Sequence, residues 1–225
     1  MLKQFEVKNI YIGEYGWKPW ENTLAYYEFN NNLNDSSGNG RNLSLYSWSV
    51  TYWTTEWWAK YWYFNTNTWT NNITYSSLNY ATDKYTLAYW IQPKQKFSSW
   101  VYKVSVEMTS TSHTDIFIRT YNTIWFNEAT SYEYNASANT WYLVVAVRDW
   151  ITTKDYINWI LVNTWTPEKT SWTKDIYFRL NNAENQNNTT YSNNQYFSEF
   201  IIENRAWTAE QALSYYNQTK SNYWL

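Results

Sequence analysis

The run Trp141-Tyr-Leu-Val-Val-Ala-Val147 is almost entirely apolar, and aromatic or β-branched residues make up most of it. A short apolar run without Gly or Pro is typical of a strand that is buried on both faces of its sheet. The run Tyr85-Thr-Leu-Ala-Tyr-Trp-Ile91 has a similar character. We interpret both runs as core strands.

Working outward from these two runs, apolar segments recur about every ten residues with polar connections between them. This spacing is typical of a sandwich or jelly roll and not of βαβ units. The expected fold class is therefore all-β, a two-sheet antiparallel jelly-roll sandwich. Besides a strand at 24–29, strands are expected near residues 60–65, 72–76, 85–92, 99–106, 114–120, 122–127, 141–149, 155–163, 175–180 and 195–203.

One short helix is expected near the carboxyl end of the sequence. Thr208-Ala-Glu-Gln211 is a capping box, in which Thr208 begins the helix and Gln211 reaches back to it. We expect residues 21–225 to form one domain, since all-β domains of this length are common. Residues 1–20 contain two glycines and a proline near their end, and we interpret them as an amino-terminal arm or attachment segment.

Composition excludes several classes of function. The net charge is −2 and the sequence pI about 5.5, so the basic footprint of a nucleic-acid-binding protein is missing. No cysteine is present, which excludes disulfides, thiol catalysis and cysteine-ligated zinc. Neither a signal peptide nor a membrane-inserted segment is recognisable. We expect a location on an extracellular surface or a virion, reached without a recognisable signal peptide.

The chain has four glycines and eighteen tryptophans among 225 residues, although about sixteen glycines are expected at an ordinary usage of roughly 7%. Trp69, Trp150 and Trp159 stand where an alternating strand runs into polar residues and a turn is expected. Turns often need positive φ, which suits glycine and not a bulky side chain. Two interpretations stay open: the indoles form a real aromatic surface, or about half of them are glycines encoded by UGA. Trp90 and Trp141 are interpreted as genuine.

Six segments occur in the order of one known family: Leu24-Ala-Tyr-Tyr-Glu-Phe-Asn-Asn-Asn-Leu-Asn-Asp-Ser-Ser-Gly-Asn-Gly40, Tyr63-Phe-Asn65, Tyr85-Thr-Leu-Ala-Tyr-Trp-Ile-Gln-Pro93, Asn139-Thr-Trp-Tyr-Leu-Val-Val-Ala-Val-Arg-Asp149, Tyr156-Ile-Asn-Trp159 and Glu199-Phe-Ile-Ile-Glu-Asn-Arg-Ala-Trp-Thr-Ala-Glu210. Together they resemble the laminin-G-like jelly-roll domains of the concanavalin A-like lectin/glucanase superfamily, over residues 24 to about 218. The departures concentrate where that family has glycine.

The resemblance implies a fold used by lectins, adhesins, enzymes and structural modules, so it leaves function open. The Glu-rich catalytic strand of the enzymatic branches is missing. Glu199 and Glu203 are the closest pair on a predicted late strand, but residues four apart on a strand lie roughly 13 Å from each other. Glycosidase carboxylates are about 5 to 9.5 Å apart. We therefore expect rim charges and no enzymatic activity.

Two sets of candidate ligand residues follow from the sequence. Trp53, Trp57, Trp58 and Tyr61 form a dense aromatic cluster, which would stack on sugar rings or form a protein interface if exposed. Core packing and UGA-encoded glycine are the alternatives for this cluster. Several members of the superfamily bind calcium, and the candidate calcium ligands are Asp35 and Asn39 in the turn before Gly40, or Asp149 after its strand. The alternative for Asp35 is that it caps its own turn.

The leading functional hypothesis is a non-catalytic recognition or adhesion module, directed at a glycan or a surface protein. The second hypothesis is a structural virion or surface-assembly protein, whose partners would be other virion subunits and whose arm would donate a strand to a neighbour.

Overall fold

The computed structural model of the chain describes residues 22–29, 32–45, 51–54, 60–64, 73–75, 84–93, 104–109, 114–120, 123–126, 132–150, 152–166, 177–180, 195–223 and 225. These residues form two antiparallel sheets and one α-helix near the carboxyl end. In chain order the strands are β1 (Thr23–Tyr27), β2 (Ser44–Leu45), β3 (Thr51–Thr54), β4 (Lys60–Phe64), β5 (Ile73–Tyr75), β6 (Lys84–Pro93), β7 (Val104–Thr109), β8 (Thr114–Thr120), β9 (Thr123–Phe126), β10 (Tyr132–Asn135), β11 (Tyr142–Asp149), β12 (Thr152–Ile157), β13 (Ile160–Trp165), β14 (Tyr177–Leu180) and β15 (Gln195–Glu203), followed by the helix α1 (Ala209–Thr219).

The first sheet has the strand order β13-β12-β11-β6-β15-β4-β3, and β1 also pairs with β15. The second sheet has the order β10-β9-β8-β7-β14-β5-β2. Consecutive strands such as β7, β8, β9 and β10 are neighbours, whereas β6 lies between β11 and β15. Such long-range pairing between two layers confirms the predicted all-β sandwich.

Strand β11 lies in the middle of the first sheet, between β6 and β12, and is buried from Tyr142 to Arg148. Alternate residues face opposite sides of a sheet. Val144 and Ala146 belong to the core between the sheets, and Val145 and Val147 to a second core beneath the helix. This confirms that the strand is buried on both faces, which is why its sequence has no apolar–polar alternation.

The core between the sheets combines aromatic and aliphatic side chains. Tyr89 contacts Phe197 and Phe200 with ring centroids 5.6 and 5.5 Å apart. Ile124 of β9 joins the same cluster from the second sheet, with Tyr132 and Tyr134 of β10 packed against it. These contacts hold the two layers together.

Helix α1 covers the other face of the first sheet. The capping box is formed as predicted: the Thr208 hydroxyl accepts from the Gln211 backbone N–H at 3.3 Å, and the Gln211 side chain accepts from the Thr208 N–H at 2.9 Å. Trp90 stacks on Tyr223, which follows in a 3-10 turn, at 4.1 Å between ring centroids. Among the described residues, none belongs to a helix with the length and apolar character needed to cross a membrane.

Strand β15 changes its partner at Glu199. Residues 195–197 pair with β4, whereas residues 200–203 pair with β1. The register with β6 shifts between Ser198 and Ile201, and Glu199 has φ 46°. A bulge of this kind inserts one residue and bends the strand, which lets one strand serve two neighbours.

The expectation of one strand near 155–163 is wrong, because the chain reverses at Asn158. Ile157 pairs with Ile160 across a two-residue turn. The Asn158 side chain accepts from the Leu143 backbone N–H at 2.9 Å, and its own N–H donates to the Leu143 carbonyl at 2.9 Å. The turn is thus anchored to β11. The arm predicted at 1–20 lies outside the described residues, so the boundary at residue 21 stays a prediction.

Candidate functional site

The turn at residues 35–40 is organised by one carboxylate. Asp35 Oδ1 accepts from the backbone N–H groups of Tyr26 and Ser37 at 3.0 and 2.9 Å, and Oδ2 accepts from that of Arg41 at 3.0 Å. Both oxygens are therefore already occupied by backbone donors, as in the capping role considered for this residue. The assignment of Asp35 as a calcium ligand stays a prediction.

Asn39 and Asp149 occupy separate places in the structure. The Asn39 amide nitrogen donates to the carbonyls of Thr23 and Leu24 at 2.8 and 3.1 Å. Asp149 ends β11 and forms an ion pair with Lys84 at 2.9 Å. Three strand spacings separate β11 from β1, roughly 14 Å in total. The two alternative calcium sites are therefore separate, Asp35 with Asn39 in one turn and Asp149 at the end of β11, and both stay predictions. In the ranges that the structure describes, no three acidic or histidine side chains cluster in a way that would hold a metal ion.

The predicted aromatic cluster is only partly within the described residues. Trp53 of β3 and Tyr61 of β4 are directly opposite each other in an antiparallel pair. Trp57 and Trp58 lie outside the described residues. Strand β3 is at the end of the strand order of the first sheet, so the Trp53–Tyr61 pair sits at one edge of that sheet.

A group of buried polar side chains lies on β12 and β13, toward the opposite edge of the first sheet, and on the central strand β6. Asp155 is 2% exposed and accepts from the Asn163 side chain at 2.9 Å. Burial raises the pKa of Asp155 to about 7, against the lowering effect of the Asn163 hydrogen bond. The hydroxyls of Tyr89 and Thr153 are buried without a hydrogen-bond partner.

Sequence analysis missed this polar group. Its signal is present but weak: Thr153 and Asp155 alternate along one strand, and register brings Asn163 opposite Asp155. A carboxyl group with a pKa near 7 changes its charge near neutral pH, so this edge of the core can respond to pH.

Glu199 and Glu203 are not the rim charges that the sequence predicts, because helix α1 and the segment before it cover them. Glu203 accepts from the Trp207 indole N–H at 2.6 Å and from Arg205 Nε at 2.7 Å. Glu199 accepts from the Tyr215 hydroxyl at 3.0 Å and from the Asn222 side chain at 3.3 Å. Burial raises the pKa of Glu199 to about 7. Both carboxylates thus hold the carboxy-terminal segment on the sheet.

The comparisons with known proteins give a likeness in structure only. No protein-family model matches the chain, and no curated protein matches its sequence. Domain 4 of AbnA, an extracellular GH43 arabinanase from Geobacillus stearothermophilus solved in complex with arabinotriose, is similar with a TM-score of 0.65 and 18% identity, over 86% of this chain and 97% of that one.

Toxin domains show the same likeness. The binding domain of botulinum neurotoxin serotype G has a TM-score of 0.67 and 17% identity over 89% of this chain. The binding domain of Paraclostridial Mosquitocidal Protein 1 has a TM-score of 0.65 and 15% identity over 87% of this chain. The match covers 52% of each toxin domain, so this chain corresponds to about half of their length. At such low identity these likenesses establish a shared β-sandwich fold.

Proposed function

We propose that this chain is a non-catalytic recognition module that binds carbohydrate on a cell or particle surface. The observation that carries the proposal is the match to domain 4 of the arabinanase, which was solved in complex with arabinotriose and which the match covers over 97% of its length. The binding domains of the toxins, which share the sandwich, support the same class of role. As part of this proposal, we assign the sandwich of this chain to the laminin-G-like domains of the concanavalin A-like superfamily.

The carboxylates beneath the helix support a non-catalytic role. Hydrolysis of a glycosidic bond needs two carboxyl groups that face one substrate. Glu199 and Glu203 instead accept hydrogen bonds from side chains of the carboxy-terminal segment. Their geometry serves to dock the helix.

We place the carbohydrate site at the edge formed by β3 and β4. Trp53 and Tyr61 occupy paired positions on these strands, and aromatic residues are suited to contact the apolar face of a sugar ring. The edge lies at the far end of the strand order from β13. A ligand bound there would not disturb the buried polar group at Asp155.

The test is a binding measurement on the folded chain with arabino-oligosaccharides and a broad glycan array, with and without calcium. We expect saturable binding that Tyr61→Ala weakens about tenfold or more, because loss of a stacking ring costs on the order of 1–2 kcal/mol. Trp150→Gly is the matched control. It removes an exposed aromatic side chain from a distant hairpin of the same sheet, and it should leave affinity unchanged.

Each outcome has a distinct meaning. No binding to any glycan, with or without calcium, would contradict the proposal. Binding that requires calcium would support the predicted metal site. Binding without calcium would show that carbohydrate recognition does not depend on that site. If glycans fail while the chain forms ordered assemblies that need residues 1–20, the structural role on a virion or surface layer is favoured instead.

A further inference from the structure

The hairpin between β12 and β13 has a tryptophan where its geometry favours glycine. Asn158 and Trp159 form the two-residue turn, with φ of 47° and 68°. Positive φ at both residues is characteristic of a type I′ turn, for which Asn followed by Gly is the strongest sequence signal. Trp159 occupies the glycine position of that turn.

The hairpin between β11 and β12 repeats the pattern. Asp149 pairs with Thr152 where the two strands meet, and Trp150, which follows Asp149, has φ 56°. For a bulky side chain this region of the backbone map is a genuine outlier, because Cβ crowds the following carbonyl oxygen. Glycine has no Cβ and adopts it freely.

Nothing in the surroundings of these two indoles offsets the strain. Trp150 is 59% exposed and Trp159 is 43% exposed. The Lys84 ammonium lies 5.7 Å from the Trp150 ring centroid, and a cation–π contact is weak at an exposed site. A large apolar side chain in water at positive φ has neither a backbone nor a burial reason to be there.

Three other tryptophans differ from these two in both burial and backbone conformation. Trp90, Trp141 and Trp207 are at most 3% exposed, and none of them has positive φ. The Trp90 indole N–H donates to the Thr219 hydroxyl at 3.0 Å, and that of Trp207 donates to Glu203 at 2.6 Å. Glycine at these three positions would leave cavities in the core beneath the helix.

From this division we infer that residues 150 and 159 are glycine in the protein that its own host makes, encoded by UGA codons which that host reads as glycine. The four glycines and eighteen tryptophans of the chain have the imbalance that such a code would produce. The inference goes beyond the carbohydrate-binding role and removes Trp150 and Trp159 from any ligand-binding surface. It also predicts codon usage: UGA at positions 150 and 159, and UGG at 90, 141 and 207.

The decisive experiment is peptide mass spectrometry on the protein purified from its native host. Trypsin releases residues 149–154 and 155–169, which carry positions 150 and 159, and residues 85–94, which carry position 90. We expect the first two peptides to contain glycine at 150 and 159, and the third to keep tryptophan. Tryptophan at 150 or 159 overturns the inference, as does glycine at 90.

A second measurement tests the backbone argument on recombinant protein with the printed sequence. We expect Trp159→Gly and Trp150→Gly each to raise the melting temperature by a few degrees, since backbone strain is relieved and the side chains that are lost are 43% and 59% exposed. Thr164→Gly is the control, because it places glycine at an exposed position of β13 without positive φ, and it should lower the melting temperature. An unchanged or lower value for Trp159→Gly would contradict the backbone argument without bearing on carbohydrate binding.

Discussion

At the scale of single residues, Asp155 is a buried carboxyl group whose pKa burial raises to about 7. It accepts a hydrogen bond from the neutral side chain of Asn163, and its charge raises the pKa of Tyr89 beyond the effect of burial. Burial disfavours the charged form of a carboxyl group. Ionisation of Asp155 therefore destabilises the folded state.

The raised pKa of Asp155 predicts how the stability of the fold depends on pH. The pKa of Asp155 is about 7 in the folded chain, above its unfolded value of 3.8. The contribution of Asp155 to the free energy of unfolding is therefore fully present below pH 3.8 and is lost as pH rises through 7. Asp155→Asn keeps an acceptor for Asn163 and carries no charge. We expect it to raise the free energy of unfolding at pH 8 by on the order of 3 kcal/mol, with little effect at pH 4.

The measurement is thermal or urea unfolding at half-unit steps between pH 4 and pH 8. Burial also raises the pKa of Glu199 to about 7. In the Asp155→Asn variant, the free energy of unfolding therefore still falls as pH rises, but less steeply than in the wild type. The control is Asp149→Asn, which alters an exposed carboxyl group on the neighbouring strand. A wild-type profile for Asp155→Asn would show that Asp155 is not the group that titrates.

Residue roles were predictable from sequence where the partners are close along the chain. The cap at Thr208 needs only the residues up to Gln211, and the hydrogen bonds of Asp35 reach no further than Tyr26 and Asn42. Asp155 was missed because its environment depends on strand register and on which face of β12 is buried. Neither can be derived from a local pattern alone.

At the scale of elements, strands that are buried on both faces were easy to predict and half-buried edges were not. Strand β11 is recognisable in the sequence as an apolar run. β10 has alternating half-buried and exposed residues around Glu133, and β2 has two residues, so neither stands out. For the hairpin between β12 and β13, the turn expected at Trp159 is confirmed, whereas the single strand expected near 155–163 is wrong.

Helix α1 supports a prediction at this scale. Thr208→Ala removes the acceptor for the Gln211 N–H and should lower the free energy of unfolding by about 1 kcal/mol. Thr208→Ser keeps the hydroxyl and should match the wild type. Because Ala212 and Tyr215 are buried in the core beneath the helix, helix and sheet should unfold together. Circular dichroism and tryptophan fluorescence during the same melt check this, and a separate early loss of helix signal would contradict it.

At the scale of the whole molecule, the first sheet has a core on each of its faces. Residues of β6, β11 and β15 alternate between the core shared with the second sheet and the core beneath α1. The same three strands form the central pairings of that sheet. Stability is therefore concentrated in the middle of the first sheet.

This arrangement predicts that residues 21–225 fold without the first twenty. The first strand begins at Thr23, and its pairing with β15 uses Thr23 and the residues up to Tyr27. We expect a chain lacking residues 1–20 to unfold in one transition at a melting temperature within about 2 °C of the full chain, since no described contact of the cores is removed. Scanning calorimetry and size-exclusion chromatography of both chains make the comparison. A broad transition or a large fall in melting temperature would contradict the boundary at residue 21. Unchanged folding combined with the loss of an assembled state would assign the arm to contacts between copies.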